Sequence, residues 1–332
     1  MPRTMFHVAA IVAALVVGAP HAAFAQSPKP LKLTLNFLAG GPQAGFLYAK
    51  SLGLYETAGI DLTIEEGRGS ATTAQMVATG QTDLGIADAP AAIQLRAKGA
   101  PVKVVAPILQ TNGFAIMALE ETGIRKPADL VGKRLALQQG TAQATLLDAI
   151  LAANKIDPKQ VQIVSIDPSA FVGTLIEKKV DAILGGADFQ AVQLRDRGFK
   201  ITEMMYRDVG VPTVGLSVVA RDDKIASDAD LLKRFIAVSL EGWELARKNP
   251  AAASEAVSKM YPAASKEQVQ KQLDVALRLI CAPGAKSLAR VPDANWTTTY
   301  QLMTQYLQLP TTKPIGDYYT NDLLPANAPA CT

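Results

Sequence analysis

Histidine is missing from residues 26–332, because His7 and His21, the only two in the chain, both stand in its first 25 positions. Their absence from the body excludes Ser-His-Asp and Cys-His catalysis, H-E-x-x-H zinc chemistry and histidine-based proton transfer. Paired-carboxylate hydrolysis and lysine chemistry, which need no histidine, are left open. Cysteine is scarce, with only Cys281 and Cys331, and no Cys, His and carboxylate cluster has the spacing of a metal site. Nor is there a phosphate or dinucleotide fingerprint: Gly67-Arg68-Gly69-Ser70 lacks the third glycine, and Gly140-Thr141 lacks the lysine context of a P-loop. Finally, no sign of charge prevails. The 33 basic residues nearly balance 30 acidic ones, which gives no electrostatic case for nucleic acid or an anionic membrane surface.

What is present begins with a leader. Arg3, the apolar run Val8 to Gly18 and the small-residue pattern Ala23-Phe24-Ala25 before Gln26 predict a signal peptide over 1–25 and a periplasmic, exported product. The run is too short to span a bilayer, and no cysteine follows it to carry a lipid. In an oxidising compartment Cys281 and Cys331 are expected to pair and tie the end of the chain back to its body.

The stretch from Leu31 to Tyr55 sets the pattern for the rest. Leu31, Leu33 and Leu35 alternate with Lys32, Thr34 and Asn36 as in a strand, Gly40-Gly41 makes a turn, and Pro42 opens a helix with Phe46 and Leu47 on its apolar side. Backbone N–H groups at such a turn can hold the polar end of a ligand, or the glycines can simply permit a tight connection. The unit recurs: a strand from Ile60 that ends near Glu66, a turn at Gly67 to Ser70 and a helix from Thr72 or Thr73; then Asp83 to Ile86, Asp88 and a helix from Pro90. Consecutive strand-loop-helix units imply a parallel sheet whose loops share one edge. After a further strand, Val102 to Leu109, the composition changes at Gln110 to Gly113 and the order restarts. Strands at 114–119, 134–137, 161–164 and 181–184 alternate with helices at 142–153, up to 176, and at 187–195. Strands at 201–206 and 214–220 suit a return crossing, and from Ser227 onward helices at 229–248, 251–260, 266–280 and 295–307 dominate.

The predicted fold is therefore α/β, two βα lobes joined by two crossings with C-terminal helices: lobe 1 from 26–111 and 214–332, lobe 2 from 112–213. A single doubly wound domain is the alternative, disfavoured by the internal repeat. The strand exits would face a shared cleft. Candidate ligand contacts are Asn36, Phe37, Gln43, Arg68, Ser70 and Asp88 on one side, and Gln138, Gly140, Thr141, Asp188 and Phe189 on the other. Each has a second reading. Asn36 and Gln43 can satisfy the turn, Phe37 can be core, Arg68 can be solvated instead of clamping an anion, and Ser70, Thr141 and Asp88 can cap helices. Asp88 and Asp188 facing each other would be the acid and base of a hydrolase.

Several segments resemble a known family: Leu35-Asn36-Phe37 through Gly45 to Tyr55, Ala78 to Ile86, Pro127 to Leu135, Asp181 to Gly186 and Gly210-Val211-Pro212. In their order they are similar to the substrate-binding proteins of ABC importers, in the SsuA/THI5-like (NMT1) group. The resemblance implies a type II periplasmic-binding-protein fold, no catalysis, no cofactor, a monomeric protein, a small-molecule solute held between lobes, and an inner-membrane ABC permease as partner. Such proteins take up alkanesulfonates, nitrate-like anions, aromatic acids or thiamine pyrimidine precursors. In the pyrimidine branch the first exit carries an aromatic residue, matched by Phe37, and a histidine, where this chain has Gln43; Gly40 replaces an asparagine. Arg68 tilts the expectation toward a sulfonate or aromatic carboxylate. The competing classes are an exported carboxylate-based hydrolase, a THI5-like pyrimidine synthase, which consumes a histidine, and a structural periplasmic protein.

Overall fold

The computed structural model describes residues 27–307, 309 and 313–331, so the leader expected over 1–25 lies outside the described residues. Its ten strands are β1 Lys29–Thr34, β2 Ile60–Glu65, β3 Leu84–Asp88, β4 Val102–Pro107, β5 Phe114–Leu119, β6 Arg134–Leu137, β7 Gln162–Ser165, β8 Ala182–Gly186, β9 Ile201–Met205 and β10 Leu216–Arg221. They form two five-stranded sheets, ordered β2-β1-β3-β10-β4 and β7-β6-β8-β5-β9. In each sheet the first three strands are parallel, and the fourth runs antiparallel to both of its neighbours. That fourth strand is in both cases the one that has just crossed from the other sheet, β10 in the first and β5 in the second. The repeat read in the sequence is thus a repeat of topology, and the chain has the type II periplasmic-binding-protein fold with two βα lobes and C-terminal helices.

Alternation in β1 buries Leu31 and Leu33 against Phe46, Phe235 and Trp243, and the Phe46 and Trp243 rings meet edge to face at 6.2 Å. The long helix Ala229–Lys248 buries Leu231, Leu232, Phe235, Ile236, Leu240 and Trp243, the apolar stripe visible in its sequence. It crosses the helix Ala44–Ser51 through paired glycines: a Cβ on Gly45 would meet Trp243 at 2.3 Å, and one on Gly242 would meet the Gly45 carbonyl at 2.3 Å. The C-terminal helix Asp293–Leu307 buries Trp296 and Met303 in a cluster shared with Leu146 and Ile150 of the second lobe. Among the described residues no helix is long and apolar enough to cross a membrane.

Several expected boundaries move. The helix expected from Thr72 or Thr73 begins at Ser70, because Gly69, at φ +131°, makes the turn alone. The helix expected over 142–153 breaks at Leu146 into Ala142–Thr145 and Leu147–Ala153. The one expected from Ala187 starts at Gln190, leaving Asp188 and Phe189 in the loop, and the one expected to reach Ile280 stops at Leu277. Asp222–Ser227 is helical where no helix was expected. Near the end, Val104 donates to the Tyr318 carbonyl and accepts from Thr320, so the final segment extends the edge of β4. Cys281 and Cys331 are bonded, the pairing expected from the sequence.

Candidate functional site

In the first strand exit, 35–43, three backbone donors around the glycine pair are already used. Ala39 N donates to Glu66 Oε1 at 2.7 Å, Gly41 N to Gln272 Oε1 at 3.1 Å and Gln43 N to the Gly40 carbonyl at 3.2 Å. The glycines serve packing: a Cβ on Gly41 would lie 2.1 Å from Leu273 N in the helix Lys266–Leu277. Two of the N–H groups of the expected anion-holding turn are thus already taken by the chain's own carboxylate and amide. What the exit turns toward the cleft is side chains: Asn36, Phe37, Pro42 and Gln43. Gln43 is 2% exposed, donates through Nε2 to Asn36 Oδ1 at 2.8 Å, and keeps Oε1 buried without a partner among the described residues.

The second exit is stapled to the first, with Gly67 N donating to the Phe37 carbonyl at 3.2 Å and Gly69 N to that of Asn36 at 2.7 Å. Ser70 then reaches the third exit: its Oγ donates to Asp88 Oδ2 at 2.8 Å and accepts from Asp88 N at 3.2 Å. Asp88 stands at the start of the helix Ala89–Ala97 but makes no side-chain capping bond, so its carboxylate is available to the cleft. Arg68 is exposed and is not among the residues lining the cleft; its charge bears instead on Asp167 of the other lobe.

Across the cleft, Thr141 caps its helix, accepting from Ala144 N at 3.2 Å and donating to the Gln138 carbonyl at 2.8 Å. Gln138 and Gly140 do not line the cleft. Gly140 latches the lobes instead: its carbonyl accepts from Ala71 N at 3.1 Å, and a Cβ on Gly69 would approach that oxygen to 2.5 Å. The β8 exit supplies Asp188 and Phe189. Glycine makes room for the Asp188 carboxylate, since a Cβ on Gly186 would come within 2.3 Å of Oδ1 and one on Gly113 within 3.3 Å of Oδ2. Phe189 meets Phe37 edge to face at 5.2 Å, closing the cleft with one ring from each lobe.

The structure therefore brings together Asn36, Phe37, Gln43, Ser70, Asp88, Thr141, Asp188 and Phe189 around one interlobe cleft. Phe114, Phe171 and Gln190 also line it and were not singled out from the sequence. Phe171 had a signal, because it follows the second exit of the repeated lobe, where the first lobe has Ser70. Gln190 Oε1 accepts from Gly186 N at 2.8 Å and so holds the glycine exit in shape.

Among the described residues no lysine, arginine or histidine lines the cleft. Burial raises the Asp88 carboxyl to about 7, against the pull of the Ser70 hydrogen bond and with the charge of Asp188 adding to the rise. Asp188 is raised to about 7 by the low-polarity walls and by the charge of Glu203. Among the described residues no group of three His, Cys, Asp or Glu is placed to hold a metal. The polar lining joins the acceptors Asp88, Asp188 and Gln43 Oε1 to amides of Asn36, Gln143 and Gln190 that can donate as well as accept, all set among aromatic rings.

Residues 42–253 match the family described as NMT1/THI5 like. A binding protein of Brucella abortus is 27% identical over 205 residues, covering 61% of this chain, and the chain spans only 62% of that relative's length. The formylaminopyrimidine-binding protein of Halalkalibacterium halodurans is 25% identical over 208 residues, 62% of this chain and 63% of its own. Among solved structures, the alkanesulfonate-binding protein SsuA from Xanthomonas axonopodis pv. citri superposes with a TM-score of 0.69 at 17% identity, over 90% of this chain and all of that one. With the family model matched over more than half of the chain and the fold shared over 90% of it, the chain belongs to the NMT1/THI5-like family of periplasmic-binding-protein fold.

Proposed function

We propose that the protein is the solute-binding component of an ABC importer, which captures a small polar organic solute between lobes 26–111 with 214–332 and 112–213 and delivers it to an inner-membrane permease. The observation that carries the reading is the interlobe cleft, in which side chains from exits of both sheets converge on one space closed by Phe37 and Phe189. Closure would turn on the crossings 111–114 and 210–213.

Two solute classes compete, a sulfonate or aromatic carboxylate and a nitrogen-bearing ring of the pyrimidine-precursor kind. The second is favoured by three features: the absence of a cation from the cleft lining among the described residues, the exposed Arg68, and the use of Ala39 N and Gly41 N by Glu66 and Gln272. An anion here would face two buried carboxyls with no compensating charge. The test is native mass spectrometry of freshly purified protein, then a thermal-shift screen of pyrimidines, sulfonates and aromatic carboxylates. A solute at 100 times its dissociation constant stabilises by about 2.7 kcal/mol. Binding with the solute recovered unchanged supports an importer component; consumption of the solute would select the hydrolase reading of Asp88 and Asp188.

A further inference from the structure

We propose that the solute is a cation: a planar nitrogen compound whose N–H groups are shared between Asp88 of one lobe and Asp188 of the other, with a further N–H reaching Gln43 Oε1. The inference rests on the solute-binding reading above and specifies the charge of what is bound. Three independent acceptors line one cleft, and each comes from a different strand exit. Gln43 is the most telling, because a fully buried amide oxygen without a donor is costly in a finished site and is explained by a donor that arrives with the ligand.

The carboxylates point the same way. Among the described residues, Ser70 is the only side chain that donates to either of them. The charges nearby are already used: Glu203, which bears on Asp188, is paired with Arg195 at 2.5 Å, and Arg68 bears on Asp167. Two carboxyls brought together from opposite lobes thus have no counter-charge of their own, and the cleft walls are Phe37, Phe114, Phe171 and Phe189. A flat cation supplies the counter-charge and the donors and has faces that the rings can cover. It also makes Asp188 a specificity residue, since only on closure does the second lobe add its charge to a solute resting on Asp88. A neutral solute gains less from that step, and an anion is repelled by it.

The experiment uses three probes of one shape and different charge on the full mature chain, stripped of solute by unfolding and refolding: benzamidinium, benzamide and benzoate, titrated calorimetrically at pH 8. Benzamidinium should bind at least about tenfold more tightly than benzamide, and benzoate should give no heat of binding. Asp188→Asn should shrink the benzamidinium-to-benzamide ratio by about tenfold. Should that variant fail to refold, the ratio in the unmodified chain decides the question alone. Equal binding of the probes, tightest binding of benzoate, or no binding of benzamidinium overturns the proposal. If a neutral or anionic solute is instead found on the purified protein and rebinds, the charge assignment falls while the importer reading stands. If no solute of any class binds, the importer reading itself fails.

Discussion

Gln43 is the residue whose two halves do different work. Its Nε2 holds Asn36 at 2.8 Å and its Oε1 is left for an incoming donor. Gln43→Leu keeps the volume and removes the orphaned acceptor, so folding stability should stay within about 1 kcal/mol while affinity for the native solute falls by roughly 1–2 kcal/mol, about tenfold. Calorimetry beside urea unfolding checks both, and a stability loss with unchanged affinity would reduce Gln43 to a turn residue. At this scale the sequence was readable wherever position in a strand exit dictated exposure to the cleft, as for Phe37, Asp88 and Asp188. It was not readable for Arg68, because a rim arginine and a clamping arginine sit in the same glycine-bearing turn and differ only in where a long side chain points. For Thr141 the capping reading holds, and the residue also lines the cleft.

At the scale of elements, the strands and most helices followed from period-two and helical patterns, and their boundaries failed where side-chain hydrogen bonds or glycine geometry override the pattern. Ser70 enters its helix early because Gly69 absorbs the turn, and Asp188 stays out of its helix because Gly186 and Gly113 leave space for its carboxylate. The glycine pair of the first exit misled in an instructive way. A glycine that lets a ligand approach and one that lets a helix approach carry the same letter, and only a neighbour far along the chain, Leu273, separates them. Gly41→Ala should therefore cost about 1–3 kcal/mol by overpacking against a backbone atom that cannot swing aside. A shift of the urea midpoint is the readout, and an unshifted midpoint would mean that the helix Lys266–Leu277 yields.

For the whole molecule, the coupling of the two lobes should depend on pH. Asp88 and Asp188, both raised from 3.8 to about 7 in the closed cleft, hold protons there that an opened or unfolded cleft would release. The sign follows: the closed, empty form is most favoured below about pH 4, loses roughly 1.4 kcal/mol per pH unit per group as pH rises, and levels off above about 7. Ligand-free protein should thus be more compact at pH 5 than at pH 8 by small-angle scattering, and Asp188→Asn should flatten the difference. Profiles that coincide at the two pH values would show that the carboxyls do not oppose closure.

The way each sheet takes its fourth strand from a crossing also sets an order of assembly. The second sheet, β5 to β9, is made of consecutive chain, whereas the first cannot join β3 to β4 until β10 arrives more than a hundred residues after β4. Until then the first half of a chain emerging amino end first keeps an open slot with two unsatisfied strand edges. The later half should become rigid first and the earlier half last. Pulsed hydrogen exchange during refolding should protect the amides of β5 and β8 before those of β3 and β10, which would leave the slot between β3 and β4 as the place where a holding chaperone has most to cover.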